Sequence, residues 1–314
     1  MASGCALGPI GDAAAQDYPA AGRSIKIIVP AAAGGALDMM GRVLAQRMTE
    51  NWKRQAYVEN RPGANWIIGM DAVVRSEPDG YTLLVVSSAG LSINPSVFPN
   101  IPFDPFRDLV PVASLTRGTF VLLANPSVPV NTAAEFIAYL KANPGKLNHG
   151  TNSATTVLLS ALFKSLAKVD YVDISYKGAS QAIQDAMAGV IQFCFTDFGS
   201  ALPVIQGGKL KPLAVAAPTR YALVPDIPAL ADDLPGFAMD GGMILLAPAK
   251  IPPDVLAKLN GFVKQALGTD DIRKRLELMG QLPGEGSPEQ IQKTLRAEAE
   301  RWKGLIKERN IRFQ

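Results

Sequence analysis

The chain reads as an α/β protein in which short apolar strands alternate with amphipathic helices in two successive series. Three observations carry that reading. Ile25, Ile27, Ile28 and Val29 form a β-branched run that stops at Pro30, crosses small residues, and gives way to Leu37, Met40, Leu44 and Met48 at helical spacing. Tyr81 to Val86 is a continuous apolar run, of the kind buried on both faces of a parallel sheet. Five prolines between Asn94 and Pro111 then part the first series from a second that opens at Phe120. Such alternation implies helices on both faces of each sheet and right-handed crossovers.

The 314 residues suffice for two domains, and 48% hydrophobic with 19% charged residues excludes a disordered chain. A net charge of +3, with the basic residues scattered, argues against nucleic acid or an anionic membrane as partner. Two cysteines and one histidine cannot build a zinc cluster or a CxxC pair, so neither metal nor cofactor is expected. No apolar run reaches the roughly 18 residues of a membrane span. Residues 1 to 17 read as the tail of a secretion signal, with Ala13-Ala14-Ala15 as an A-x-A cleavage site, and Ser3-Gly4-Cys5 offers a weaker lipid-anchor signal.

In chain order, Tyr57 and Val58 end a short strand, Arg61-Pro62-Gly63-Ala64 is turn chemistry, and Ile67 to Arg75 can form a helix closed by Pro78-Asp79-Gly80. The prolines from Pro95 to Pro111 predict an irregular loop. The second series expects strands at Phe120 to Ala124, Lys146 to Gly150, Tyr171 to Ser175, Val190 to Phe195 and Leu213 to Ala216. Its helices are expected over Thr132 to Lys141, Ala154 to Lys168 and Ala179 to Ala188, the first opened by a Thr132/Glu135 capping box and the last stopped by Gly189. Met243 to Ala247 is a further strand, and the remainder is helical. Pro253 opens one helix; Ser287, Pro288 and Gln290 open the last, whose Glu298, Arg301, Lys303, Lys307 and Glu308 read as a solvated face with Trp302 and Ile306 turned inward.

The strand-loop-helix joint at Ile25 to Arg47 is the first candidate site. Gly34 and Gly35 free the backbone, while Ala31, Ala32, Ala33 and Ala36 put little side chain between the loop amides and a visitor. Unsatisfied N–H groups at a helix start, with the positive end of its dipole, form an anion seat. A turn that merely packs strand against helix is the alternative.

The ordered motifs VPAAAGGALD, VENRPGA, PDGYTLLV, NPSVF with PFDPFRDLVPV, PGKLNHGT, YKGAS, SALPVIQGGKLKPLAV, PDIPAL and LLAPAKIPP resemble the Bug family, periplasmic solute-binding proteins of tripartite tricarboxylate transporters. The resemblance runs from about residue 24 to the C-terminus. It implies a two-lobed type II periplasmic binding protein (Venus-flytrap) fold with a mixed sheet flanked by helices in each lobe. One lobe would hold 24–115 plus 244–314 and the other 116–243. It also implies a monomer without catalytic activity, which clamps a small carboxylate, a dicarboxylate or an aromatic one, through loop amides and delivers it to membrane permease subunits. A sensor signalling to a membrane partner, or an enzyme on the same fold, is the alternative. No G-x-S-x-G elbow, Walker motif or G-x-G-x-x-G supports the enzyme.

Candidate ligand contacts follow. In the first lobe, Ala32, Ala33, Gly34, Gly35 and Ala36 form the amide seat, with alanines where the family often has proline. Asp38 either closes the helix start or reads a ligand amino group. Trp66 replaces a small residue of the family's pattern and either stacks on the ligand or fills the core beneath its loop. Ser87 and Ser88 lie at a strand's carboxyl end, where open α/β sheets place ligands. In the second lobe, Thr151, Asn152, Ser153, Ala154 and Thr155 make a hydroxyl-rich strand-loop-helix joint. It lacks the histidine common there in the family, so a less polar pocket is expected. Asp197 and Phe198 lie at the corresponding edge, as a holder of water or loop and as apolar wall. His149 is expected at a strand end, Arg61 as a loop fixer, and Lys177 as a solvated charge.

Overall fold

The computed structural model describes residues 18–309 and residue 311; the signal-like tail and Cys5 lie outside the described residues. Among the described residues, twelve strands follow in chain order: β1 (Ile25–Val29), β2 (Ala56–Asn60), β3 (Thr82–Ser87), β4 (Leu109–Ser114), β5 (Thr116–Ala124), β6 (Asn148–Thr151), β7 (Val172–Ser175), β8 (Phe193–Asp197), β9 (Lys211–Val215), β10 (Asp240–Gly241), β11 (Met243–Pro248) and β12 (Leu282–Pro283).

The apolar runs become sheet centres because each must be covered on both faces. The first sheet has the order β2-β1-β3-β11-β4. β1 pairs in parallel with β2 and β3, while β11 runs antiparallel between β3 and β4. Ile25, Ile27 and Val29 of β1 bury with Met40, Leu44 and Met48 of the helix Ala36–Trp52 on one face. Ile28 packs with Met70 and Val73 of the helix Ile67–Val74 on the other. The second sheet runs β10-β5-β8-β6-β7, with β9 and β12 also pairing with β5. β6 pairs in parallel with β7 and β8, and β5 runs antiparallel to all its neighbours. Both sheets are therefore mixed, and the chain is an α/β protein of two lobes.

The proline-rich stretch is more regular than its sequence predicts. Asn94–Val97 and Pro105–Asp108 are helical turns with proline in the first positions, where its missing N–H is not needed. Asp104 caps the second turn by accepting from Phe106 N and Arg107 N. Pro111 sits in β4 opposite Leu246, where the register with β11 shifts, a bulge-type position that tolerates proline. β5 also begins four residues before the expected Phe120.

Two short connections join the sheets, β4 to β5 through Leu115 and β10 to β11 through Gly242. They are stitched together: Leu115 N donates to Met243 O (2.8 Å), Met243 N to Thr116 Oγ1 (3.0 Å), and Ser88 N to Gly242 O (2.9 Å). The C-terminal segment spans both lobes as well. β12 joins β5, and the helix Pro288–Glu308 packs Ile291 and Leu295 into the first lobe's core but Trp302 and Leu305 into the second's.

Gly242 lies at this crossing with no room for a side chain, since a Cβ there would overlap the Thr116 carbonyl. Backbone cannot yield as a side-chain tip would. Gly242→Ala is expected to destabilise the protein by about 1–3 kcal/mol, seen as a lower urea midpoint.

Candidate functional site

The carboxyl ends of β1, β3, β6 and β8 converge between the sheets on a cavity of about 340 Å³, within the roughly 300–1,000 Å³ of small-molecule sites. Ala36, Leu37, Trp66, Ser87 and Ser88 line it from the first lobe; Thr119, Phe120, Thr155 and Asp197 line it from the second. Trp302, Glu298, Met239, Met243 and Gln281 add walls from the crossings and the C-terminal segment.

Asp38 explains how the first loop keeps its shape. Its carboxylate is 2% exposed and accepts from Gly34 N (2.9 Å), Arg42 Nε (2.8 Å) and Asn60 Nδ2 (2.9 Å). Asn60 Nδ2 donates in turn to Ala31 O (3.0 Å). The Arg42 guanidinium, helped by the Gly34 and Asn60 bonds against the cost of burial, holds the Asp38 carboxyl down at about 2. Asp38 thus staples the loop to the helix and to β2, and it does not line the cavity. Gly34 takes the left-handed conformation (φ +89°) that lets its N–H turn toward that carboxylate. The N-cap residue Gly35 makes no side-chain capping bond, so the helix start faces the cleft uncapped, with Ala36 and Leu37 in the lining. Ala32, Ala33, Gly34 and Gly35 are exposed and lie outside the lining itself.

Trp66 stands on a left-handed turn. Ala64, Asn65 and Trp66 have φ of +46°, +48° and +74°, a conformation costing a non-glycine residue about 1–2 kcal/mol. Buried Asn94 holds the turn by donating from Nδ2 to Asn65 O (2.7 Å). A Cβ on Gly90 would lie 3.4 Å from Trp66 Cε3, so the indole rests on that glycine while its exposed part faces the cleft.

The second-lobe joint divides. Thr155 lines the cavity, whereas Thr151, Asn152, Ser153 and Ala154 face a second groove of about 550 Å³ that also takes in Asn65, Phe98, Lys164 and Asp173. Its helix, Ala154–Ala167, is self-capped. Thr156 Oγ1 accepts from Asn152 N (2.8 Å) and Ser153 N (3.1 Å), and Ser153 Oγ accepts from Thr156 N (3.3 Å). Three amides that the sequence offers to a ligand are thus already satisfied. Asp197 lines the cleft and caps the helix Phe198–Gln206 by accepting from Ser200 N (2.9 Å). Phe198 lies in the core against Tyr221, with ring centroids 5.6 Å apart, and does not reach the cleft.

His149 lies wholly inside, away from the cavity. Its Nε2 accepts from Phe195 N (3.2 Å), which requires the proton on Nδ1, 2.8 Å from Asp173 Oδ1. Ser160 Oγ and Lys164 Nζ donate to the same carboxylate, at 2.7 and 2.8 Å. Burial pushes the imidazole below its usual value despite Asp173, so it stays neutral. Arg61 pairs with Glu59, and Lys177 is exposed; neither lines the cavity.

Sequence reasoning missed Thr119, Phe120, Met239, Met243, Gln281, Glu298 and Trp302 as lining. Glu298, expected on a solvated face, fronts the cleft because its helix bridges the two cores. Among the described residues, the lining holds two acidic side chains, Asp197 and Glu298, and no lysine, arginine or histidine.

Two α/β lobes enclosing such a cavity define a protein of the periplasmic binding class. The sequence matches the tripartite tricarboxylate transporter family receptor over residues 40–311, and the chain belongs to that family, one of solute receptors and not of enzymes. It is 32% identical to protein BugT of Bordetella pertussis over 304 residues, covering 96% of this chain and 93% of BugT. Among solved structures, a Rhodopseudomonas palustris protein with adipate is similar at TM-score 0.80 and 28% identity, covering 94% of this chain and 99% of that one. MatC of the same organism, with bound malate, is similar at TM-score 0.74 and 29% identity, covering 91% and 99%.

Proposed function

We propose that this receptor captures a small monocarboxylate with an aromatic or extended apolar body and delivers it to the membrane permease subunits of a tripartite tricarboxylate transporter. Capture takes place in the periplasm, by a monomer whose lobes are 24–115 plus 244–314 and 116–243. The observation that carries the ligand class is the lining: Trp66, Phe120, Trp302, Met239 and Met243 supply apolar wall, and the two ionisable side chains in it, Asp197 and Glu298, are both acidic. A carboxylate is accommodated at the uncapped start of the helix Ala36–Trp52, with Ser87, Ser88 and Thr155 hydroxyls in the same cavity. A second or third carboxylate would have to sit near the Asp197 carboxylate in a site of low dielectric, where repulsion is strong. Closure of the lobes would remove water and strengthen the remaining contacts.

The adipate and malate held by the two relatives favour a second reading, a dicarboxylate. A thermal-shift screen separates the two. At a hundred times its Kd a ligand adds about 2.7 kcal/mol, or roughly 5 °C for a chain of this size. Aromatic monocarboxylates such as phenylacetate are expected to give that rise and to be recovered unaltered after long incubation. Stabilisation by adipate or malate alone would install the dicarboxylate reading instead.

A further inference from the structure

We propose that Gln281 is a specificity-determining residue of the cleft, and that its carboxamide together with Asp197 reads a hydroxyl on the body of the bound acid. The inference rests on the cleft being the carboxylate site proposed above and adds to the ligand a second, uncharged polar group.

Gln281 comes to the cleft on a strap that leaves one lobe and lies against the other. The helix Asp270–Leu278 is anchored by Ile272 and Leu276 in the first lobe's core. Gly280, at φ +67°, turns the chain sharply off the helix end, where Gly280 N donates to Glu277 O (2.9 Å) and Gln281 N to Leu276 O (2.8 Å). From there the strap belongs to the second lobe. Tyr221 OH lies 3.0 Å from both Gly280 O and Arg117 O, bridging strap and β5. A Cβ on Gly199 would come within 2.5 Å of Met279 O, so strap and second lobe meet backbone to backbone. Beyond Gln281, Leu282 and Pro283 pair with Arg117 and Thr116, and Gly284 N donates to Leu115 O (3.1 Å). Gln281 is thus pinned on both sides at the crossing between lobes.

Its side chain is placed as tightly. Nε2, Oε1 and Cδ lie 2.5, 2.6 and 2.9 Å from where a Cβ on Gly118 would be, so the amide lies flat against a position that only glycine leaves open. Gln281 and Gly118 both line the cavity. The amide is half-buried and makes no hydrogen bond within the protein among the described residues, leaving two donors and an acceptor for a visitor. Asp197, on the same second-lobe wall, uses Oδ1 to accept from Ser200 N and has Oδ2 to spare. An amide donor and a carboxylate acceptor together suit a hydroxyl, which accepts one hydrogen bond and donates another. They do not suit a second carboxylate, which Asp197 would repel.

Calorimetry with phenylacetate and its 2-, 3- and 4-hydroxy derivatives tests this on the intact protein. At least one hydroxylated acid is expected to bind about tenfold or more tightly than phenylacetate, as a hydrogen bond to a charged group allows. Gln281→Met keeps the length and loses the amide; it should bring that ratio close to one, whatever its effect on phenylacetate itself. Gly118→Ala, which displaces the amide and leaves it intact, should lower the ratio too. A wild-type ratio of one for every isomer, or a ratio that survives in Gln281→Met, overturns the role of Gln281 while the carboxylate reading stands. Failure of the wild type to bind any of the four acids overturns both.

Discussion

Trp66→Gly is expected to weaken phenylacetate binding roughly 10- to 100-fold, the loss of a large aromatic wall worth about 1.4–2.8 kcal/mol of ligand burial. The companion expectation is a small change in stability. Glycine relieves the left-handed strain at φ +74°, about 1–2 kcal/mol, which offsets much of the packing that the half-buried indole makes against Gly90 and the core near Met70. A ring that only filled the core would show the opposite pattern, a large fall in melting temperature with affinity intact. Calorimetric Kd and a melting curve on the same variant decide between the two, and a variant binding phenylacetate as tightly as the parent removes Trp66 from the site.

His149 carries the largest expected effect on stability. His149→Ala leaves Phe195 N without its acceptor and opens a cavity among Tyr171, Phe193 and Phe195, whose ring centroids lie 4.8–5.7 Å from the imidazole. The expected loss is on the order of 3 kcal/mol. The same residue makes stability pH-dependent. Its folded pKa lies below the unfolded value of 6.5, so the unfolded chain binds the proton first and stability falls as pH drops through 6.5 toward the folded pKa. Above 6.5 both states are neutral there and the contribution is complete. Asp173 acts in the same direction lower down. Burial pushes its carboxyl up, but the hydrogen bonds from His149, Lys164 and Ser160 outweigh that and hold it at about 2, so its contribution is present above 3.8 and lost as pH falls toward 2. Urea midpoints between pH 4.5 and 8 should show the histidine step in the parent and none in His149→Gln, whose amide can accept from Phe195 N and donate to Asp173. An equal step in the variant would place the titration elsewhere.

What the sequence made legible follows from local rules. The β-branched run at Ile25 and the helical apolar spacing after it specify β1 and its helix, and Ser287-Pro288-Gln290 marks the start of the last helix, where the capping box forms. The proline stretch misled because proline disrupts helix interiors but suits helix starts, which is where Pro95 and Pro105 lie. In the site, strand ends pointed to Ser87, Ser88 and Asp197, since residues at a sheet's carboxyl edge face the space between lobes. Phe198 was not so placed, because it opens a helix whose apolar face turns inward. Amphipathy separates apolar from polar positions but does not say which polar residues front a cavity. Glu298 and Gln281 reach the cleft only through the bridging of both lobes by the C-terminal segment, a long-range arrangement with no local signature. The left-handed turn that aims Trp66 is equally silent, since alanine, asparagine and tryptophan rarely adopt it.

The central claim, that the cleft takes a singly charged acid with an apolar body, is tested most directly by calorimetric titration of the wild-type protein with phenylacetate, adipate and citrate under one buffer condition. One-to-one binding of phenylacetate at least tenfold tighter than adipate is expected, with no measurable binding of citrate. Tighter binding of adipate or citrate than of phenylacetate would contradict it.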